Sequence, residues 1–391
     1  MLFKIALKNL LGARLRTFLN VFVTSISFFM IIFVTGLYDG MRQHAKQVTI
    51  DTEIAGGAYW HPAYDPMDPM LFEDSHSTLP QDIDNLVINE KAVPILVSQA
   101  AMYPNGRIMP VIMKGIDPNQ NIVNMPTKAL EKNKDIEIPV LIGKGMANNA
   151  KLKVGDSFTI RWLDADGTYD ADEGTVVHIM DTENFKLDIG HIWIPLEKAQ
   201  EILAMKDEAT YVSYAVGVEK VKDSGNWIHR DVDYLIQDIE AAIEADKPGN
   251  QIMFLILLSL SAMGIFNAQV LSIFRRGKEI GTLMALGMTR SRVVGLFTLE
   301  GGINAVLASA FTAFPFGALL WWTAEHGVPM PMDYSEMGFM IAKQLIPIYS
   351  FSLIATTTTV VFFIVIVVSY LPSRRIARMK PTDALRGKTG I

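Results

Sequence analysis

Four stretches of this chain run for more than twenty residues with almost no ionisable side chain: Thr17 to Tyr38, Ile252 to Phe274, Val293 to Trp322 and Leu345 to Leu371. The third contains one acid, Glu300; the others hold no Asp, Glu, Lys, Arg or His. A helix crossing a bilayer core needs about 20 consecutive apolar residues. A buried helix of a soluble protein can look similar, but four uncharged runs of this length exceed what a soluble core requires. The pattern therefore predicts four membrane spans. Ahead of the first, MLFKIALKNLLGARLR sets Phe3, Leu7, Leu10 and Leu11 at helical spacing and puts Lys4, Lys8, Arg14 and Arg16 on other faces. That is the pattern of an interfacial helix leading into span one. A targeting presequence or cleavable signal is the other use of such a start. The apolar run is too long for a signal peptide's roughly 7 to 15 residues, and no small-x-small site follows it.

Between spans one and two the period changes. Met41 to Ile50 continues the helical pattern, and WHPAYDPMDP, residues 60 to 69, is expected to break it, because its three prolines remove amide donors and fix φ. Short alternating runs then predict strands: RIMPVIMKGI, DSFTIRWL, GTVVHIM, HIWIPL and TYVSYAVGVE. LEKAQEILAM and WIHRDVDYLIQDIEAAIEA have helical spacing, the second leading straight into span two. DADGTYDADEG, residues 164 to 174, reads as a polar hairpin tip. Its acids lack the EF-hand spacing with a glutamate at position twelve, which favours a solvated turn over a calcium loop.

Charge decides which side is which. The 391 residues are 50% hydrophobic and 19% charged, with a formal net charge of −6 and no cysteine. This excludes a disordered chain, a disulfide scaffold and thiolate chemistry. The modest total conceals a segregation. Lys4, Lys8, Arg14 and Arg16 precede span one; Arg275, Arg276, Lys278, Arg290 and Arg292 lie between spans two and three; Arg374, Arg375, Arg378, Lys380, Arg386 and Lys388 follow span four. From Asp39 to Asn250 the balance reverses, with 35 Asp and Glu against 19 Lys and Arg. Lys and Arg near span ends hold a loop in the cytoplasm, so both termini and the middle loop are expected inside. The expected fold class is a membrane protein with four transmembrane helices and a large α+β extracytoplasmic (periplasmic) domain between spans one and two. Its divisions are 1–38 (interfacial helix and span one), 39–250 (the extracytoplasmic domain) and 251–391 (spans two to four, a cytoplasmic helix over 277–290 and a basic tail over 372–391).

Catalytic patterns are scarce. His44, His61, His76, His178, His191, His229 and His326 show no metal-ligand spacing such as H-x-x-x-H, and no G-x-S-x-G elbow occurs. No catalytic residue and no metal site are expected. The terminal LRGKTGI contains Gly-Lys-Thr, but Thr382 stands where a phosphate loop needs its first glycine, and no strand precedes it. The chain is therefore expected to bind no cofactor itself; ATP, if used, sits on another chain. In residues 275 to 301, RRGKEIGTLMALGMTRSRVVGLFTLEG, positions Ile280, Leu283, Met284, Gly287 and Met288 recur on one helical face, bracketed by Arg276, Lys278, Arg290 and Arg292. Packing against lipid and docking to a partner explain that stripe equally well. Glu300, the one acid within a span, is a functional candidate by default. It lies about two turns from the cytoplasmic end, where snorkelling or pairing with Arg292 would also account for it. Asn267 and Gln269 in span two are candidates for interhelical hydrogen bonds.

A family resemblance separates these readings. EIGTLMALGMTRSRV, followed by a span opening with LEGG, resembles the coupling-helix segment of the FtsX-like/MacB-like permeases, the mechanotransmission class of ABC transporters. YLPSRRIARMKPTDALRG, residues 370 to 387, is similar to that family's tail. GIDP at 115–118, LIGKGMANNAKLKVGDSFTI at 141–160 and IWIPLEKAQEIL at 192–203 are similar to the lipoprotein-releasing (Lol) permeases. WHPAYDPMDP departs from them, as does TVVHIMDTENF, with His178 in place of a glycine. The resemblance implies a non-catalytic permease of the bacterial inner membrane, with no nucleic-acid partner. It would pair with a second permease, itself or a paralogue, and bind two copies of a cytoplasmic ATPase carrying ATP and Mg. It assigns ATPase docking to Glu279, Ile280, Leu283, Met284, Leu286, Gly287, Met288, Arg290 and Arg292. Lipoprotein release is the function expected, with lipoprotein cargo and a periplasmic carrier as further partners. Efflux of a small amphiphile or peptide with a periplasmic adaptor, and regulation of cell-wall hydrolases by a structural or signalling permease, are the alternatives.

Overall fold

A computed structural model describes residues 2–12, 14–131, 136–329 and 344–377. They form two units: a helical one, made of residues up to Arg42 and from Ala245 onward, and a mixed one, Gln43–Glu244. The borders fall a few residues inside the expected 39–250.

The chain opens with α1 (Leu2–Gly12) and α2 (Arg14–Thr49). Ala6 and Leu10 of α1 are buried while Phe3, Leu7 and Leu11 stay exposed, as in a helix that packs along one side and offers another to an interface. The expected proline break comes too late to end α2. A single π turn, Ile50–Ile54, finishes it, and Ala55 (φ 55°) and Gly57 (φ 134°) turn the chain ahead of Pro62. Trp60, the first residue of the proline-rich stretch, is already in a strand.

The mixed unit continues with β1 (Ala58–Trp60), β2 (Ser77–Thr78), α3 (Gln81–Ile88), β3 (Ala92–Tyr103), β4 (Met109–Ile116), β5 (Ile138–Gly143), α4 (Lys144–Ala150), β6 (Ser157–Leu163) and β7 (Tyr169–Met180). It ends with α5 (Phe185–Asp188), β8 (His191–Pro195), α6 (Leu196–Ile202), β9 (Glu208–Ala209), β10 (Tyr211–Tyr214), β11 (Ile228–Arg230), α7 (Val232–Leu235) and α8 (Gln237–Ala245). Nine strands form one sheet in the order β11-β1-β10-β3-β4-β8-β5-β7-β6, and β6 also pairs with β3, so the last six close on themselves. The length of β3 allows this: Ala92–Ile95 pair with β10 and Ala100–Tyr103 with β6 along the same edge. β6 shows the alternation read from its sequence, burying Phe158, Ile160 and Trp162. β5 is buried at every position, with Ile138, Val140 and Ile142 in one core and Leu141 in another. Two expectations change here. Residues 169–174 of the acidic stretch belong to β7, which leaves the turn shorter, and Ile228–Arg230, expected helical, is the edge strand β11.

The helical unit resumes with α9 (Lys247–Arg275), α10 (Gly277–Ala285) and α11 (Arg290–Phe311). A π turn at Thr312–Phe316 contains Pro315 and leads into α12 (Gly317–His326). The short pair β12 (Val328–Pro329) and β13 (Gln344–Leu345) precedes α13 (Phe351–Ala377). Among the described residues, four helical runs are long and apolar enough to cross a membrane: Thr17–Ile54, Gln237–Leu271, Arg290–His326 and Phe351–Arg375. The fourth starts later than Leu345 because the backbone before it is engaged elsewhere. Leu345 pairs with Val328, and Ile348 N–H donates to the Gly36 carbonyl at 2.9 Å. Gly36 and Gly40 admit that segment: an added Cβ would lie 2.4 Å from the Tyr349 ring at Gly36 and 2.0 Å from the Ile346 carbonyl oxygen at Gly40. The four long helices share a core of Val21, Phe28, Ile31, Ile265, Ala305, Ala308, Val361 and Val365. Phe18, Leu255, Leu260, Met263, Phe314 and Phe363 are exposed, an apolar surface suited to lipid and not to water.

Candidate functional site

Arg276 stands where α9 gives way to α10 and is only 5% exposed. A guanidinium so placed costs several kcal/mol unless its charge and its hydrogen bonds are met. Its Nη1 donates to Glu300 Oε2 at 2.5 Å and its Nε to Glu279 Oε2 at 2.6 Å. Its plane lies over Phe297, 4.6 Å from the ring centroid. The other oxygen of Glu300 accepts from Asn9 Nδ2 at 2.8 Å. Both carboxylate oxygens are therefore satisfied, and α1, the α9–α10 joint and α11 meet at one buried charge pair. The alternative pairing with Arg292 does not form. Those two residues are eight apart on one helix, about 12 Å of rise, and Arg292 is exposed.

The polar seam extends past Glu300. Asn304 lies one turn further along α11, and Gln269 of α9 and Ser369 of α13 lie beside Gly301 of α11, all three buried. Gly301 lets Ser369 approach: a Cβ there would lie 2.1 Å from Ser369 Oγ. Thr298 Oγ1, Asn304 Oδ1 and Ser369 Oγ are buried without a hydrogen-bond partner, an unusual concentration of unmet polar groups for a native interior. Of the two amides expected to join helices, Gln269 is in this seam, whereas Asn267 is exposed.

Next to the seam, α10 ends in a Schellman motif. Met288 N–H donates to the Leu283 carbonyl at 3.0 Å, Gly287 N–H to the Met284 carbonyl at 3.1 Å, and Gly287 has φ 94°. The single helical face expected over 277–290 is therefore interrupted. Gly287 and Met288 lie in a turn, and Arg290 begins α11. Most of the apolar stripe also faces inward: Ile280, with Met284 and Met288, packs on Val293 and Phe297. Of the residues expected to dock, those facing outward are Glu279, half-buried Leu283, Gly287, Arg290, Arg292 and Leu286, which is 80% exposed at the tip of the turn.

The sequence marks Glu300 but not Arg276 or Asn9 as its partners. The available signal was the demand of a lone intramembrane acid for a cation, which identifies a need without naming the residue that meets it. Among the described residues, no three His, Asp or Glu side chains gather as a metal site requires. The tail from 378 onward, including LRGKTGI, lies outside the described residues.

Apart from Asn9, every residue of this cluster falls within 251–381, the segment that matches the FtsX-like permease C-terminal family. The chain carries an FtsX-like permease domain. Over 331 residues the permease is 23% identical to the lipoprotein-releasing system transmembrane protein LolC of Neisseria meningitidis serogroup B, covering 75% of this chain and 77% of that one. The protein of the same name from Xylella fastidiosa strain 9a5c is 22% identical over 343 residues, with the same coverage of each chain. The extracellular domain of the noncanonic ABC-type transporter YknZ from Gram-positive bacteria is 13% identical with a TM-score of 0.27, covering 48% of this chain and 94% of that one. The chain is thus similar to FtsX-like permeases over 251–381 and to lipoprotein-releasing transmembrane proteins along three quarters of its length.

Proposed function

We propose that the permease is the non-catalytic membrane subunit of a mechanotransmission ABC transporter of the bacterial inner membrane, and that it releases lipoproteins from that membrane. The observation that carries the mechanical part is the Asn9–Glu300–Arg276–Glu279 cluster. It fastens α10 to α11 and α1, so a force applied at the exposed turn is passed to spanning helices and not lost in a flexible loop. In this reading, two cytoplasmic ATPase subunits holding ATP and Mg grip Leu286, Leu283 and Glu279, with Arg290 and Arg292 beside them. Their closure displaces α10, the permease works as a pair, and its mixed unit moves on the periplasmic side. Both termini and α10 are cytoplasmic, as the clustering of Lys and Arg argues.

The cargo reading rests on the relatives named for lipoprotein release. An acyl chain drawn from a membrane costs about 0.8 kcal/mol per CH₂ exposed to water, so release calls for both ATP and a periplasmic carrier. Proteoliposomes containing the permease, its co-purifying ATPase and a triacylated lipoprotein should pass the lipoprotein to a soluble carrier when ATP is added. Leu286→Asp should lower stimulated ATP hydrolysis and release by about tenfold or more, with membrane insertion intact. Undiminished stimulation would remove the docking assignment. Stimulated hydrolysis without lipoprotein release would turn the reading toward adaptor-linked efflux or hydrolase regulation.

A further inference from the structure

The stretch WHPAYDPMDP walls a cavity of about 500 Å³ within the mixed unit, a volume usual for small-molecule sites. Trp60 and Tyr64 come from that stretch, Tyr211 from β10, Arg230 from β11 and Tyr234 from α7. Tyr64 stacks on Tyr211 with 5.6 Å between ring centroids, and Trp60 meets Tyr64 edge-on at 5.1 Å. Pro62 and Pro66 flank Tyr64 and restrict the backbone that presents it. The result is a wall of rings set in place before any ligand arrives.

Each described charged side chain lining the cavity has a hydrogen-bonding or ionic partner except Arg230. Glu53 pairs with Lys114 at 3.4 Å, and Asp238 with Lys186 at 3.6 Å. Asp65 Oδ1 accepts from the Met67 N–H at 2.9 Å in its own loop. Arg230 lies against Tyr234 and Trp60, 4.0 and 5.5 Å from their centroids. Its Nε is buried without a hydrogen-bond partner, and among the described residues no carboxylate is bonded to it. Stacking holds the guanidinium in place and leaves its hydrogen-bonding capacity unused. A planar carboxylate is the group that matches that fork.

From this arrangement we infer that the cavity binds a small amphiphilic carboxylate, with its flat or apolar body against Trp60, Tyr64 and Tyr211 and its carboxylate on the terminal nitrogens of Arg230. The inference holds whatever cargo the permease moves, and it gives the stretch that departs from the lipoprotein-releasing pattern a role of its own.

The test uses the full chain in lipid nanodiscs with two photoprobes, 4-benzoylbenzoate and its neutral twin 4-benzoylbenzamide, and maps adducts by mass spectrometry. The carboxylate should give saturable adducts on peptides carrying Trp60, Tyr64 or Tyr234. The amide, and the carboxylate on Arg230→Gln, should label those peptides about tenfold less or weaker still. Adducts confined to the membrane helices, equal labelling by the amide, or undiminished labelling of Arg230→Gln would each overturn the site. If Arg230→Gln does not insert, the comparison of acid and amide on the unaltered chain decides the matter.

Discussion

Glu300 is held in the helical unit by one cation and one amide, and the cost of losing either partner differs from the cost of losing the pair. Glu300→Gln would leave buried Arg276 with only the exposed carboxylate of Glu279. Breaking a buried pair from one side costs about 3–5 kcal/mol, largely because a charge is stranded, whereas removing both charges together often costs far less. Glu300→Gln and Arg276→Gln should each lower the unfolding temperature in nanodiscs, and the double variant should be more stable than the sum of the two predicts. Strict additivity would mean that the two groups do not act as a pair. This pair also marks how far residue-level reading reaches. Glu300 stood out in the sequence because an acid inside an apolar run is costly and therefore conspicuous. Its partner did not, because Arg276 comes 24 residues earlier and reaches it only through the fold of the α10–α11 elbow.

Within single elements, the contrast between Ile280 and Leu286 separates packing from docking. Ile280 is 1% exposed against α11 and Leu286 80% exposed six residues later. Ile280→Ala should therefore destabilise the permease by about 2–5 kcal/mol through lost burial and a cavity, while Leu286→Ala should stay within about 0.5 kcal/mol. Gly287→Ala tests the turn between them. Nothing lies within 4 Å of an added Cβ, so its cost is the left-handed backbone alone, about 1–2 kcal/mol. Denaturant titration of the three variants checks the order Ile280, Gly287, Leu286; a large loss from Leu286→Ala would mean that its side chain is structural. Helical periodicity made Gly287 and Met288 look like the next turn of the same helix. Their hydrogen bonds show a helix stop instead, since the glycine closes the last carbonyls by a route that apolar spacing does not encode. The same limit hid β5, whose two covered faces leave no alternation to read. The long apolar helices were legible because length and lack of charge need no partner to be recognised.

For the molecule as a whole, the strongest claim still resting on charge is which side of the membrane each unit occupies. Every basic cluster flanks a span end, and the stretch from Asp39 to Asn250, with its 35 acids against 19 bases, is the one large segment free to be translocated. The chain contains no cysteine, so a single introduced thiol reports its own position without background. Asp166→Cys, in the exposed β6–β7 turn, and Thr282→Cys, on the exposed side of α10, mark the two units. In spheroplasts, a membrane-impermeant maleimide should label Asp166→Cys at once and spare Thr282→Cys until the inner membrane is broken. The reverse pattern would put α10 on the side away from cytoplasmic ATP, and ATPase docking at Leu286 would fall with the orientation. Labelling of both thiols in sealed spheroplasts would mean that α10 is reachable from outside, which the proposed transmission from a cytoplasmic motor does not allow.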